Sequence, residues 1–309
     1  MKKLIVMVCV TILIIAGIFL AWLNFFPDQV LITMTNGERD KAGFELLEAK
    51  VNGMKVKYLA GGRGETLLLI HGFAANKDNW TRVSKYLTPH FKVIALDLIG
   101  FGESDKPESV GYSIMEQMER VREFADSLNL KSFHLGGSSM GGNISAAFAA
   151  TYPKYVKSLW LVAPGGVYSS EKSEMERLIK KGKFPLIAKD IDSFNSVMEF
   201  VFYKKPYIPS SIVKALAFEA VKNRKLNEIV FNAIHNNPVA SDEILKGCEI
   251  PTLVLWGKND RVLHYSGAKI LKDIMKNSKI TILDKTGHLP MIERPEESAK
   301  DLLKFHKKT

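Results

Sequence analysis

The run TLLLI at residues 66–70 opens a rhythm that limits what this chain can fold into. A short, continuous apolar run suits a strand buried on both faces. A helical stretch follows at 79–87, then the strand FKVIALD at 91–97 and a helix ending at Leu128. Ser113, with Glu116 three residues on, reads as the capping box of that helix. The strand SFHLG at 132–136, a helix to Tyr152 and the strand SLWLVA at 158–163 continue the pattern. MKVKYLA at 54–60 precedes it and alternates in period two. The rhythm stops over about 165–240, where Pro185, Pro206, Pro209 and Pro238 punctuate helical patterns. It resumes with PTLVLWG at 251–257, a helix over 266–275, KITILD at 279–284 and a last helix over 295–306. Alternating strands and helices predict an α/β fold with a mostly parallel central sheet and helices on both faces. The middle block predicts a helical cap inserted above the sheet edge.

Residues 4–23, LIVMVCVTILIIAGIFLAWL, carry no charge. Roughly 20 apolar residues are what a helix needs to cross the hydrocarbon core. Lys2 and Lys3 precede the run, and Trp22, Phe25 and Phe26 close it, where aromatic side chains favour an interface. The expectation is an uncleaved transmembrane signal anchor over 1–26, with the N-terminus cytoplasmic and the catalytic domain exported to the periplasmic or extracellular side. A cleaved signal peptide competes, but it calls for a shorter core and a small-residue cleavage site. Residues 27–50 read as a linker, with Pro27 and Asn36-Gly37 as turn signals, and 51–309 as the catalytic domain.

The formal net charge is +10, yet the lysines are scattered rather than gathered in a stripe, so no nucleic-acid partner is expected. Cys9 and Cys248 make no disulfide framework and no metal cluster with nearby histidines.

Gly137-Ser138-Ser139-Met140-Gly141 fits G-x-S-x-G in one register. Centred on Ser138, the pattern would put Met140 where glycine is required, so Ser139 takes the nucleophile position. A tight strand-to-helix turn lifts such a serine above the sheet, and its glycines let the backbone pass where a Cβ would clash. A glycine-rich turn without chemistry is the bland alternative. A serine hydroxyl needs a base, and His288 in TGHLP follows the last strand. Asp260 in WGKNDRV, just past another strand, is the acid that would hold the histidine tautomer. Asp284 stands only four residues before His288 and reads as a structural cap. The order Ser139, Asp260, His288 is the order this architecture uses. The oxyanion donors would be the backbone N–H groups of Met140 and of Phe73, in HGFAANKDNW. His71 would orient that loop. No cofactor and no metal are called for.

With LLLIHGFAANKDNW, LDLIGFGESDKP, GGSSMGGN, LWGKNDRVL and DKTGHLPMIERP in this order, the sequence resembles the α/β-hydrolase superfamily from about Lys50 onward. Within it, the sequence is similar to the membrane-anchored monoacylglycerol lipases of the α/β-hydrolase-domain type 6 group and to related bacterial lipases. The resemblance implies an α/β-hydrolase fold and cofactor-free hydrolysis of lipid or short-to-medium acyl esters through an acyl-enzyme.

The inserted block holds Phe184, Phe194, Phe200, Phe202, Phe218, Phe231, Met175, Met198, Tyr203 and Tyr207. These residues would suit an acyl chain, or they make the core of the cap itself. Carbon–carbon bond hydrolysis on the same fold and a non-enzymatic ligand receptor stay open beside the esterase reading. Serine at 139 argues against the dehalogenase and epoxide hydrolase chemistries, which use aspartate there.

Overall fold

Among the described residues, eight strands form one sheet: β1 (Phe44–Val51), β2 (Met54–Gly62), β3 (Glu65–Ile70), β4 (Phe91–Leu96), β5 (Phe133–Ser138), β6 (Val156–Val162), β7 (Thr252–Gly257) and β8 (Ser278–Leu283). The computed structural model describes residues 2–307, and side chains except those at 2, 6, 16, 19 and 20. The order is β1-β2-β4-β3-β5-β6-β7-β8. β2 is antiparallel to β1 and to β4, and every pairing from β4 to β8 is parallel. The sheet is therefore mixed at one edge and parallel where the chemistry was expected.

Strand alternation builds two cores. Leu68 and Ile70 of β3 face one core with Phe124, Ile144 and Phe148, while Leu67 and Leu69 face the other with Trp80, Trp160 and Phe305. That explains why TLLLI is apolar without interruption. Each such fully buried leucine contributes about 1.5–3 kcal/mol. The helix Ile114–Ser127 starts at the expected capping box, with Ser113 and Glu116 each accepting the other's backbone N–H.

The cap carries the helices Glu174–Ile179, Ile191–Val201, Ser210–Lys222 and Arg224–Asn236. Ser173 and Asp190 cap the first two. Phe200, Phe202 and Phe231 are buried, whereas Phe184, Phe218, Tyr203 and Tyr207 are exposed. The aromatic content thus serves both the cap's own core and its surface.

The N-terminal expectation needs correction. Residues Lys2–Phe25 are helical, but among the described residues no helix is long and apolar enough to cross a membrane. Met1 and the side chains at 2, 6, 16, 19 and 20 lie outside the described residues. The transmembrane signal anchor over 1–26 is withdrawn. The single-pass topology, the export of the catalytic domain and the membrane partner rested on it and go with it.

Residues 27–50, read from sequence as connecting chain, hold the helix Pro27–Lys41 and most of β1. Pro27 occupies the first turn of that helix, where no N–H is missed. The helix packs on β1 and on the cap helix Ser210–Lys222.

Candidate active site

The elbow is built by close approach. A Cβ on Gly137 would lie 2.1 Å from the Gly141 carbonyl oxygen, and one on Gly141 would lie 2.3 Å from that of Ile70. Only glycine fits at either position. Ser139 adopts φ +55° and ψ −118° between β5 and the helix Met140–Thr151. Such a conformation costs about 1–3 kcal/mol and must be held by its surroundings. The Ser139 N–H donates to Val162 O at 3.0 Å, and its carbonyl accepts from Asn143 N–H at 3.1 Å and Gly165 N–H at 2.8 Å. Ser138 is fully buried, while Ser139 is half-buried. Only the second hydroxyl can meet a substrate.

β5, β7 and β8 run parallel, so the loops at their carboxyl ends gather on one side of the sheet. Asp260 follows β7 and His288 follows β8. Both are buried, at 6% and 4% exposure. His288 Nδ1 donates to Asp260 Oδ2 at 2.7 Å. That oxygen also accepts from Trp256 Nε1 at 3.0 Å, and Oδ1 accepts from the N–H groups of Val262 and Leu263 at 2.8 and 3.0 Å. Four donors on one buried carboxylate fix its plane. Asp284 pairs instead with Lys258 at 3.0 Å, its side chain largely exposed. The structure therefore joins His288 to Asp260. Among the described residues the Ser139 hydroxyl makes no hydrogen bond, a contact that enzymes of this kind often complete only around substrate.

The loop after β3 lies against the elbow: a Cβ on Gly72 would meet Ser139 Cβ at 3.1 Å. His71 is fully buried. Its Nδ1 donates to Gly72 O at 2.7 Å, and its Nε2 accepts from Leu98 N–H at 3.1 Å. Burial pushes its pKa down, in agreement with a neutral ring used at both nitrogens. His71 thus orients the loop. Among the described residues, neither Phe73 nor Met140 gives its N–H to a carbonyl in the turns and loops.

Beneath the same loop lies an ion network that sequence reasoning missed. Lys77, 1% exposed, donates its backbone N–H to Asp97 Oδ1 at 2.8 Å, and its Nζ to Asp97 Oδ2 and Glu103 Oε1, each at 2.8 Å. Arg39 grips Asp78 with Nε and Nη2 at 2.6 and 2.7 Å and reaches Glu103 at 2.9 Å. Burial works against both cations, but the facing carboxylates outweigh it and hold their pKa values above the usual range. Charges clustered inside ANKDNW and GFGESDKP were the available signal. Glu293 was missed as well. It accepts from Gly287 N–H at 2.8 Å and from Tyr203 N–H at 3.0 Å, while His288 N–H donates to Val201 O at 2.8 Å. The histidine loop is thereby stapled to the end of the cap helix Ile191–Val201.

A cleft of about 880 Å³ runs between the helix Pro27–Lys41, the loop after β3 and the cap. Its apolar wall includes Ile32, Leu186, Phe194, Met198, Phe202 and Leu216, and it touches the loop at Ala74 and Ala75. Ser139 and His288 are not among its lining residues. Phe73, next to Ala74 of the cleft wall, lies edge-on to Phe231 of the cap at 5.9 Å.

Residues 65–184 match the family model described as alpha/beta hydrolase fold. The chain is 38% identical to Lipase 1 of Psychrobacter immobilis over 87% of its own length and 86% of that protein's. It is 32% identical to the monoacylglycerol lipase ABHD6 of Mus musculus, covering 79% of this chain and 76% of the relative. A solved structure described as a membrane phospholipase A, a novel bacterial virulence factor, superposes with a TM-score of 0.90 at 36% identity, covering 100% of this chain and 99% of that one. With its mixed sheet, helical cap and serine elbow, this chain belongs to the alpha/beta hydrolase fold family, as a serine ester hydrolase related to bacterial lipases.

Proposed function

We propose that the chain hydrolyses lipid esters, such as monoacylglycerols or short-to-medium acyl esters, through an acyl-enzyme on Ser139. The observation that carries the reading is the buried 2.7 Å bond between His288 and Asp260, on the side of the sheet where the strained Ser139 elbow opens. The hydroxyl of Ser139 attacks the ester carbonyl while His288 Nε2 takes its proton. Asp260 holds the Nδ1–H tautomer and stabilises the imidazolium. The N–H groups of Met140 and Phe73 receive the developing oxyanion, each worth about 10²–10³ in rate. His288 then protonates the departing alcohol, and water releases the acid by the reverse sequence. The apolar cleft and the names of the lipase relatives support an acyl chain as the group bound beside the site.

Ser139→Ala should lower turnover of p-nitrophenyl esters by at least about 10³-fold and abolish fluorophosphonate labelling, with an unchanged melting temperature. Retained labelling would remove Ser139 from its role. A rate series over acyl length, with 1- and 2-monoacylglycerols, should rise from acetate to medium chains. A monotonic fall from acetate would sink the lipid-ester reading while leaving the esterase intact.

A further inference from the structure

At the amino ends of the strands, opposite the elbow, three side chains converge that the hydrolytic chemistry does not use. Glu65 begins β3, His134 follows the first residue of β5, and His306 ends the helix Pro295–His306. One ligating atom from each lies within 4.8 Å of the other two. Glu65 Oε2 stands between the rings, 3.2 Å from His134 Nε2 and 3.7 Å from His306 Nε2.

We propose that Glu65, His134 and His306 form a zinc site that ties the C-terminal helix to the sheet. Donor chemistry selects the ion. Two imidazoles and one carboxylate suit Zn²⁺, whereas Ca²⁺ and Mg²⁺ ask for all-oxygen shells. Spacing fits as well. With bonds of about 2.0–2.1 Å, neighbouring ligand atoms in a tetrahedral zinc site lie about 3.4 Å apart. The two histidine–carboxylate separations of 3.2 and 3.7 Å already bracket that value. Closing the remaining gap, between the two imidazole nitrogens, requires the His306 ring to turn from its place 4.8 Å from both the Phe91 and the His134 rings. The His306 side chain is 32% exposed, in the last turn of its helix.

Outer contacts support the set. His134 Nδ1 lies 2.8 Å from Ser158 Oγ, which orients the ring and leaves Nε2 to face the cluster. Lys157 sits on the other Glu65 carboxylate oxygen, Oε1, and is itself 40% exposed, so it can turn to solvent as the ion enters. A solvent water would fill the fourth position on the open Glu65 side. Sequence reading expected no metal because the three residues belong to three separate elements.

The experiment uses the full chain stripped with chelator, titrated with zinc chloride by calorimetry, and followed by melting temperature. One equivalent should bind with a Kd of about 10 µM or tighter, and melting should rise with zinc. His306→Gln and Glu65→Gln, both at solvent-accessible positions, should each weaken binding at least tenfold and lose the thermal shift, while ester turnover without zinc stays at the wild-type level. Magnesium should not compete. Absence of one-to-one binding below 100 µM would overturn the proposal. So would wild-type affinity in both variants, which would put the ion elsewhere, for example on His288. Unaltered esterase activity in the same samples keeps this outcome separate from the hydrolytic reading.

Discussion

His71 shows how a single side chain can be settled by its neighbours. It stands at the end of a strand beside the nucleophile, where a second catalytic histidine would be easy to imagine. Both ring nitrogens are occupied, by Gly72 O and Leu98 N–H, so it has none left for a substrate. Burial lowers its pKa below the ordinary 6.5, with Asp97 raising it and Lys77 lowering it to a lesser degree. The unfolded chain therefore takes up this proton first as pH falls. The stability this ring contributes is full above about pH 6.5 and is lost as pH falls through the folded-state value. Melting temperature followed from pH 8 to pH 5 should fall more steeply on the acid side for wild type than for His71→Gln. Equal slopes would assign the acid sensitivity to other groups. Ser139, Asp260 and His288 are candidates that the sequence alone offers, because motif register and strand ends pin them in the chain. Glu293 and Arg39 are not, because a carboxylate or guanidinium reveals its partners only when distant segments meet.

Among the elements, the helix Pro27–Lys41 departs most from its sequence. PDQVLITMTNGERDK has a weak apolar face and an Asn-Gly pair, and nothing in it demands a helix. It is held from outside, by β1, by the cap helix Ser210–Lys222 and by Arg39 on Asp78 and Glu103. Hydrogen bonds to charged groups of this kind contribute about 1.5–3 kcal/mol each. Arg39→Met should lower stability by roughly 2–3 kcal/mol and, by loosening the loop that holds Phe73, lower kcat more than it changes KM. Arg39→Lys should recover only part, since lysine lacks the planar fork. A kcat equal to wild type in Arg39→Met would confine the network to stability. β1 had a signal that went unused: Asn52 and Gly53 both take positive φ, at 50° and 79°, the demand of a tight two-residue hairpin turn.

Across the whole molecule, the cap and the sheet are joined at the chemistry itself. Arg261, one residue past Asp260, pairs with Glu174 at 2.7 and 2.8 Å and lies over the Phe200 ring at 4.7 Å. Glu293 links the His288 loop to Tyr203. Burial pushes the Glu293 carboxyl up against the backbone N–H groups that pull it down. Glu293→Gln keeps the shape but turns an amide NH₂ toward donors. We expect kcat to fall roughly tenfold or more, about 1.4 kcal/mol, with the larger loss on long acyl esters that must lie under the cap. Equal losses on acetate and octanoate esters would separate histidine positioning from cap docking. Sequence alone determined the α/β rhythm and the inserted cap, and offered the candidate order of serine, acid and base, since hydrophobic period and turn chemistry are local properties. It also pointed to a membrane anchor, but among the described residues no helix is long and apolar enough to cross a membrane. Only the tertiary structure decided which charges brace the loop after β3 and which carboxylate ties the His288 loop to the cap. Those depend on segments far apart in the chain being brought within hydrogen-bond distance, where a difference of an ångström separates a partner from a bystander.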